Sequence, residues 1–281
     1  MPNTNCIYNG HLISLYEPAI SFANRAFRYG DSLFETIRFS KGKVMFLADH
    51  IQRIKLSMTV LRMNVPGEFN TINIQSLILH LIEQNDIDSD ARIRLTVFRN
   101  DGGYYTPDTN DISFLIEAEV LETKGYIINQ KGLWVDVYAE IKKPISKIAN
   151  LKTGSALIYV MAGLTKKSLK LDDCLLINDN GHIIESISSN IFVVKNGSLY
   201  TSPLSDGCID GVMRKQILAI ASANRILTFE QSLTLNTLMT GDEVFFTNAI
   251  KGIQWVGQFK NVFYTNRQAI FLNEQLNNAL K

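Results

Sequence analysis

Apolar residues along the chain follow two spacings. Ile51, Ile54, Met58 and Leu61 recur every three or four positions, as do Ile74, Leu77, Ile78, Leu81 and Ile82. That spacing stacks them on one helical face, so each run predicts a helix, the first with Asp49 as its N-cap. Residues 92–98 have the other period. Ile93, Leu95 and Val97 point one way, Arg92, Arg94 and Thr96 the other, which predicts a half-buried strand. Residues 12–14, 43–47 and 112–120 also read as strands, and the first 120 residues as strands plus two helices.

The pattern breaks at 121–125, a short polar stretch that predicts a linker. Beyond it, 133–139 reads as a strand and 153–169 as a helix. Asp179-Asn180-Gly181 joins strands at 174–178 and 182–185, and Asn196-Gly197 joins strands at 190–195 and 198–201, both hairpin signals. Residues 212–223 read as a helix, 243–247 as a strand and 266–280 as a C-terminal helix. The expectation is an α/β or α+β chain in two domains, 1–120 and 126–281, with the second richer in strands.

Composition narrows the function classes. With 28 Lys+Arg against 27 Asp+Glu the formal charge is +1, which leaves no basic footprint for nucleic acid and no polybasic membrane patch. No apolar run has membrane-spanning length, and the N-terminus lacks the pattern of a signal peptide. Cys6, Cys174 and Cys208 are odd in number and far apart, which predicts reduced thiols and a cytoplasmic protein. In that setting the sequon Asn196-Gly197-Ser198 carries no weight. His11, His50, His80 and His182 lack metal-ligand spacing, so no metal site is expected. No HExxH, C-x-x-C, Walker or GxGxxG motif occurs.

Four features could carry chemistry, and each also has a bland reading. Lys152 lies in Asn150-Leu-Lys-Thr-Gly-Ser155 at a predicted helix start, where the dipole gives a cation no reason to be; alone it reads as a surface lysine. Glu185 ends an apolar strand, as a buried ion-pair partner or as a turn residue. Ile209-Asp210-Gly211-Val212-Met213-Arg214 opens a helix whose first N–H groups could hold an anion, and Thr247-Asn248-Ala249 offers a second such loop. Arg53 follows Tyr29-Gly-Asp-Ser-Leu-Phe-Glu-Thr-Ile-Arg38 and Asp49-His-Ile-Gln, one position off the apolar stripe, where most arginines are solvated.

Their order along the chain is more specific than any one of them. Tyr29-Gly-Asp31, Phe34-Glu-Thr36, Arg53, Lys152, Glu185-Ser-x-Ser-Ser-Asn-Ile-Phe192, Gly211-Val-Met-Arg214 and Glu243-Val-Phe-Phe-Thr-Asn248 together resemble the class IV (fold type IV) pyridoxal-phosphate enzymes. That group holds branched-chain aminotransferases, D-amino-acid aminotransferases and 4-amino-4-deoxychorismate lyases. The resemblance implies a small α/β domain and a larger pseudo-barrel domain carrying the Schiff-base lysine. It further implies pyridoxal 5'-phosphate as cofactor, a small carboxylate substrate and a homodimer.

Carried across residue by residue, the resemblance makes Lys152 the lysine that binds the cofactor and shuttles the proton, with Lys147 as its rival. Glu185 becomes the acid on the pyridine nitrogen, and Arg53 the arginine on the phosphate. Gly211, Val212 and Met213 become the helix-start phosphate cup, and Thr247 and Asn248 the second phosphate loop. The chemistry agrees. The cofactor is an electron sink that the protein orients, the lysine must be available unprotonated, and a dianionic phosphate needs an arginine and aimed N–H groups.

Finer details resemble the lyase. Met213 stands where many aminotransferases carry threonine. Thr247-Asn248-Ala249 precedes Gly252-Ile253, where branched-chain enzymes tend to have Ser-Gly-Thr. Leu157 occupies the position, five after Lys152, where those enzymes have tyrosine. Thr36 matches a threonine near the lyase substrate, and residues 92–104 look like a segment of some bacterial lyases. Ser155 and Ser32 depart from the usual asparagine and glycine. The reaction implied converts 4-amino-4-deoxychorismate to 4-aminobenzoate and pyruvate, on the route to folate, with Arg94 or Arg99 facing the substrate carboxylates. The alternative is a class IV aminotransferase acting on branched-chain or D-amino acids.

Overall fold

The computed structural model describes residues 4–17 and 20–280. Its Cα packing divides the chain into two units. The first holds residues 1–125 and 151–155, the second 126–150 and 156–281. Among the described residues no helix is long and apolar enough to cross a membrane, and no group of three or more His, Cys, Asp or Glu residues could hold a metal ion.

The first unit is one sheet covered by two helices. Its chain order is β1 (Asn5–Tyr8), β2 (His11–Ser14), α1 (Arg25–Tyr29), β3 (Ser32–Ser40), β4 (Lys43–Val44), α2 (Leu47–Val60), α3 (Thr71–Gln84), β5 (Ala91–Arg99) and β6 (Ile112–Val120). The strands pair antiparallel in the order β2-β1-β6-β5-β3-β4. Leu33 and Ile37 of β3 and Ile93, Leu95 and Val97 of β5 bury one face of the sheet. Against it lie Leu47, Ile51, Ile54 and Met58 of α2 and Ile74, Ile78, Leu81 and Ile82 of α3. Strand alternation leaves Phe34 and Thr36 of β3, and Arg94 and Thr96 of β5, on the other face. The helix α2 starts two residues before Asp49, which sits in its first turn; the N-cap is Phe46, held in the left-handed region at φ 53°.

The second unit follows as β7 (Leu133–Lys143), α4 (Leu157–Ser168), β8 (Asp173–Asn178), β9 (Ile183–Ser186), β10 (Asn190–Lys195), β11 (Ser198–Thr201), α5 (Val212–Ala223), β12 (Thr228–Glu230), α6 (Leu235–Met239), β13 (Glu243–Asn248), β14 (Gly252–Phe259), β15 (Val262–Phe263) and α7 (Arg267–Asn278). Strands β10, β13, β14, β7, β8 and β9 pair in that order, and β9 pairs back onto β10. The sheet therefore closes on itself as a pseudo-barrel, with β11 and β12 extending one side. Its core holds Val135, Leu175, Ile183, Ile191, Val193, Val244, Phe246, Val256 and Phe259. The Asn196-Gly197 hairpin forms as its residues demand, with φ of 50° and 75°, the positive pair of a type I′ turn.

Candidate active site

The segment that carries Lys152 does not begin a helix. The Phe34 N–H donates to the Lys152 carbonyl at 2.9 Å, the Gly154 N–H donates to the Ser32 carbonyl at 2.9 Å, and Leu33 bridges Thr153. Residues 151–155 thus lie along β3 in the first unit, although the sequence puts them in the second domain. The helix expected from 153 starts at Leu157 instead, because the backbone of 152–154 is already bonded to β3. Gly154 allows that approach: a Cβ there would stand 2.2 Å from the Ser32 hydroxyl.

Lys152 and Arg94 meet over one aromatic ring. The Lys152 Nζ stands 4.3 Å, and the Arg94 guanidinium carbon 4.1 Å, from the centre of the Phe34 ring. Thr36 is the cross-strand partner of Arg94 and shares a face of β3 with Phe34. Lys152, Thr36 and Arg94 therefore converge on the sheet face that α2 and α3 leave uncovered. Arg99 does not join them. It lies at an odd position of β5, on the helix-covered side, and is 6% exposed. Its Nε donates to Asp31 at 2.9 Å, Nη1 to the Asn110 side chain at 2.5 Å and Nη2 to the Leu61 carbonyl at 2.8 Å. Asp31 also accepts from Arg25 at 2.9 Å, so Arg99 belongs to an internal network that ties β5 to α1 and α2.

Arg53 has a partner that the sequence did not suggest. Its Nε donates to Glu35 Oε1 at 2.8 Å, and its Nη2 meets Oε2. His50 Nδ1 lies 2.6 Å from that same Oε2. Glu35 is 1% exposed. Burial pushes its carboxyl upward, but the charges of Arg53 and His50 outweigh burial and hold it at about 2. The orientation of Arg53 is set by this buried carboxylate.

The second unit assembles the other residues. Glu185, on β9, is 2% exposed. Its Oε1 accepts from the Lys143 ammonium at 2.7 Å and from the Tyr159 hydroxyl at 2.8 Å; its Oε2 accepts from the Ile209 N–H at 2.8 Å. Burial first, and then the Glu185 charge, push the Tyr159 phenol well above its ordinary range, so it remains a donor. Asn190 links this carboxylate to the phosphate candidates. In the sheet it sits between Glu185 of β9 and Thr247 of β13. Its side-chain N–H donates to the Ile209 carbonyl at 2.8 Å, and its Oδ1 would clash at 1.8 Å with any Cβ on Gly211. Glycine at 211 thus lets the start of α5 pack against the strands between Glu185 and Thr247.

That arrangement fits a group with a basic ring nitrogen at one end and a phosphate at the other. No side chain caps α5 at Gly211, so its first turn presents backbone N–H groups, Val212 and Met213 among them. Thr247 is 1% exposed and its hydroxyl has no hydrogen-bond partner among the described residues, an orphan that a phosphate oxygen would satisfy. Asn248 is committed elsewhere. Its Oδ1 accepts from the Ile250 and Lys251 N–H groups at 3.0 and 2.8 Å, and its Nδ2 donates to Ser189 at 2.9 Å. Its side chain shapes the loop. Lys143 and Tyr159 were absent from the sequence reading. Neither lies in a recognisable motif; the hint available was a Lys at the end of a strand and a Tyr two residues beyond Leu157.

Comparison with known proteins agrees with this geometry. Residues 32–259 match the model of the family described as amino-transferase class IV. The chain belongs to that family. Its members use pyridoxal phosphate, and its fold is the mixed α/β arrangement of the fold type IV enzymes. Aminodeoxychorismate lyase of Vibrio harveyi is 24% identical over 83% of this chain and 85% of its own. D-alanine aminotransferase of Bacillus licheniformis is 24% identical over 86% of this chain and 83% of its own. In structure, the branched-chain aminotransferase from the thermophilic archaeon Thermoproteus uzoniensis, solved with norvaline, superposes with a TM-score of 0.87. It is 22% identical, over 98% of this chain and 93% of that one. The family is thus fixed at the level of cofactor and fold, and its named members include both transaminases and a lyase.

Proposed function

We propose that this class IV enzyme is a pyridoxal-phosphate lyase that converts 4-amino-4-deoxychorismate to 4-aminobenzoate and pyruvate, working as a homodimer. The observation that carries the proposal is the shared ring of Phe34, which holds an amine, Lys152, and a guanidinium, Arg94, beside Thr36. A substrate with an amine to be captured and carboxylates to be bound needs that pairing of groups.

When bound, the cofactor supplies an electron sink for charge on the carbon that bears the amine. Lys152 would hold the cofactor, give way to the substrate amine, and then remove the proton from that carbon. Glu185 would face the ring nitrogen as a hydrogen-bond acceptor. The N–H groups at Val212 and Met213, the Thr247 hydroxyl and Arg53 would bind the phosphate. Arg94 and Thr36 would orient the substrate carboxylate so that the bond to enolpyruvate breaks and its oxygen departs, the ring becoming aromatic.

Transamination is the second reading, favoured by the relatives named as aminotransferases. It demands a site that takes two acids in turn and a proton delivered back to the cofactor. Leu157, 77% exposed, stands where branched-chain enzymes place a tyrosine, which supports the lyase. Incubation with 4-amino-4-deoxychorismate and no keto acid is expected to release pyruvate and 4-aminobenzoate in equal amounts. Rapid, complete conversion of the cofactor to its amine form by leucine or D-alanine, with no pyruvate from aminodeoxychorismate, would establish the transaminase.

A further inference from the structure

Glu185 is held by a lysine that the reaction does not require as a nucleophile. Lys143 ends β7, its side chain is 9% exposed, and its Nζ lies 2.7 Å from Glu185 Oε1. Among the described residues it is the one cation within ion-pair distance of Glu185. Tyr159 donates to the same oxygen from α4, and the Lys143 ammonium sits 5.5 Å from the centre of the Tyr159 ring. The Cys208 thiol is the other titratable group nearby. Burial and then Glu185 push it up to about 12, against the smaller opposing charges of Arg214 and Lys143 and with a small upward contribution from Asp210, so it stays neutral.

Two donors thus occupy Oε1, and the Ile209 N–H leaves Oε2 with acceptor capacity for one more donor. In pyridoxal phosphate the aldehyde carbon that a lysine attacks is attached to the ring carbon para to the ring nitrogen. A lysine bound to the partner of the nitrogen is therefore at the wrong end to attack.

We infer that Lys143 is a positioning residue that aims Glu185 Oε2 at the cofactor's ring nitrogen and, by cancelling the carboxylate charge, sets how strongly the loaded cofactor holds its proton. The inference rests on the proposed cofactor role of Glu185. A buried carboxylate with neutral donors alone leaves an uncompensated negative charge beside the ring, which favours protonation there. The Lys143–Glu185 pair presents a nearly neutral but oriented acceptor.

The test is a pH titration of the visible absorbance of the holoenzyme, which follows protonation at the lysine linkage. Lys143→Met and Lys143→Gln are expected to move the transition upward by about one unit, the scale of a neighbouring charge. Lys143→Arg is expected to titrate like the wild type. The glutamine variant keeps a donor to Oε1, so it separates charge from packing if the methionine variant fails to fold. A folded Lys143→Gln protein that titrates like the wild type would overturn the inference while leaving the cofactor role of Glu185 intact. A wild-type protein that develops no cofactor band at all would overturn both.

Discussion

Thr247 shows how a single atom separates stability from binding. Its hydroxyl is buried and unpartnered among the described residues, so the folded protein gains nothing from it. Thr247→Val has nearly the same shape and removes the orphan. Thermal melting of the cofactor-free protein should be unchanged or slightly higher. Cofactor titration should weaken by roughly tenfold, the worth of one charge-assisted hydrogen bond. Unchanged affinity would remove Thr247 from the phosphate site. At this scale the sequence was legible at Glu185, an acid ending an apolar strand, which is buried and paired with a cation as that position suggests. Partners were not legible. Nothing in the order of residues tells that Asn248 is used up within its own loop, that Arg99 faces the covered side of β5, or that Lys143 reaches Glu185 across 42 positions.

Between elements, the buried contact of β3 with α2 is a charge cluster, and it makes the first unit sensitive to acid. The Glu35 carboxyl has an ordinary value of 4.5 and sits at about 2 in the folded chain. A depressed acid stabilises the fold fully above its unfolded value, and that contribution is lost as pH falls toward the folded value. Chemical denaturation of wild type and Glu35→Gln should therefore show a wild-type advantage that is constant above pH 4.5 and shrinks between 4.5 and about 2. An advantage independent of pH through that window would contradict the coupling. Periodicity foresaw most elements of this size: β6, β10, β11 and α5 have the expected bounds. It failed where tertiary bonding overrides local pattern. Residues 153–156 pattern as helix, but 153 and 154 are bonded to β3, 155 precedes the cap and Ala156 is the cap itself. Residues 45–47, read as strand, lead into α2. The strands β3 and β14 and the short α1 have no clean period, since β3 buries Glu35 and Arg38 among its apolar residues.

For the whole molecule, the two-part organisation follows from two separate cores, one under α2 and α3 and one inside the closed sheet. The break at 121–125 marks where the first ends. What linear reading missed is that the chain returns to the first unit at 151–155, five residues whose bonds to β3 are visible only once strands are paired. That return sets Lys152 apart from the other two lysines of the segment. Lys147 is exposed, Lys143 is bound to Glu185, and Lys152 stands over Phe34 beside Arg94. Borohydride reduction of the cofactor-loaded protein, followed by digestion and peptide mapping, reads that choice directly. The account predicts a reduced pyridoxyl group on Lys152 alone. A label on Lys143 or Lys147, or a protein that takes up cofactor and carries no label on any lysine, would contradict it.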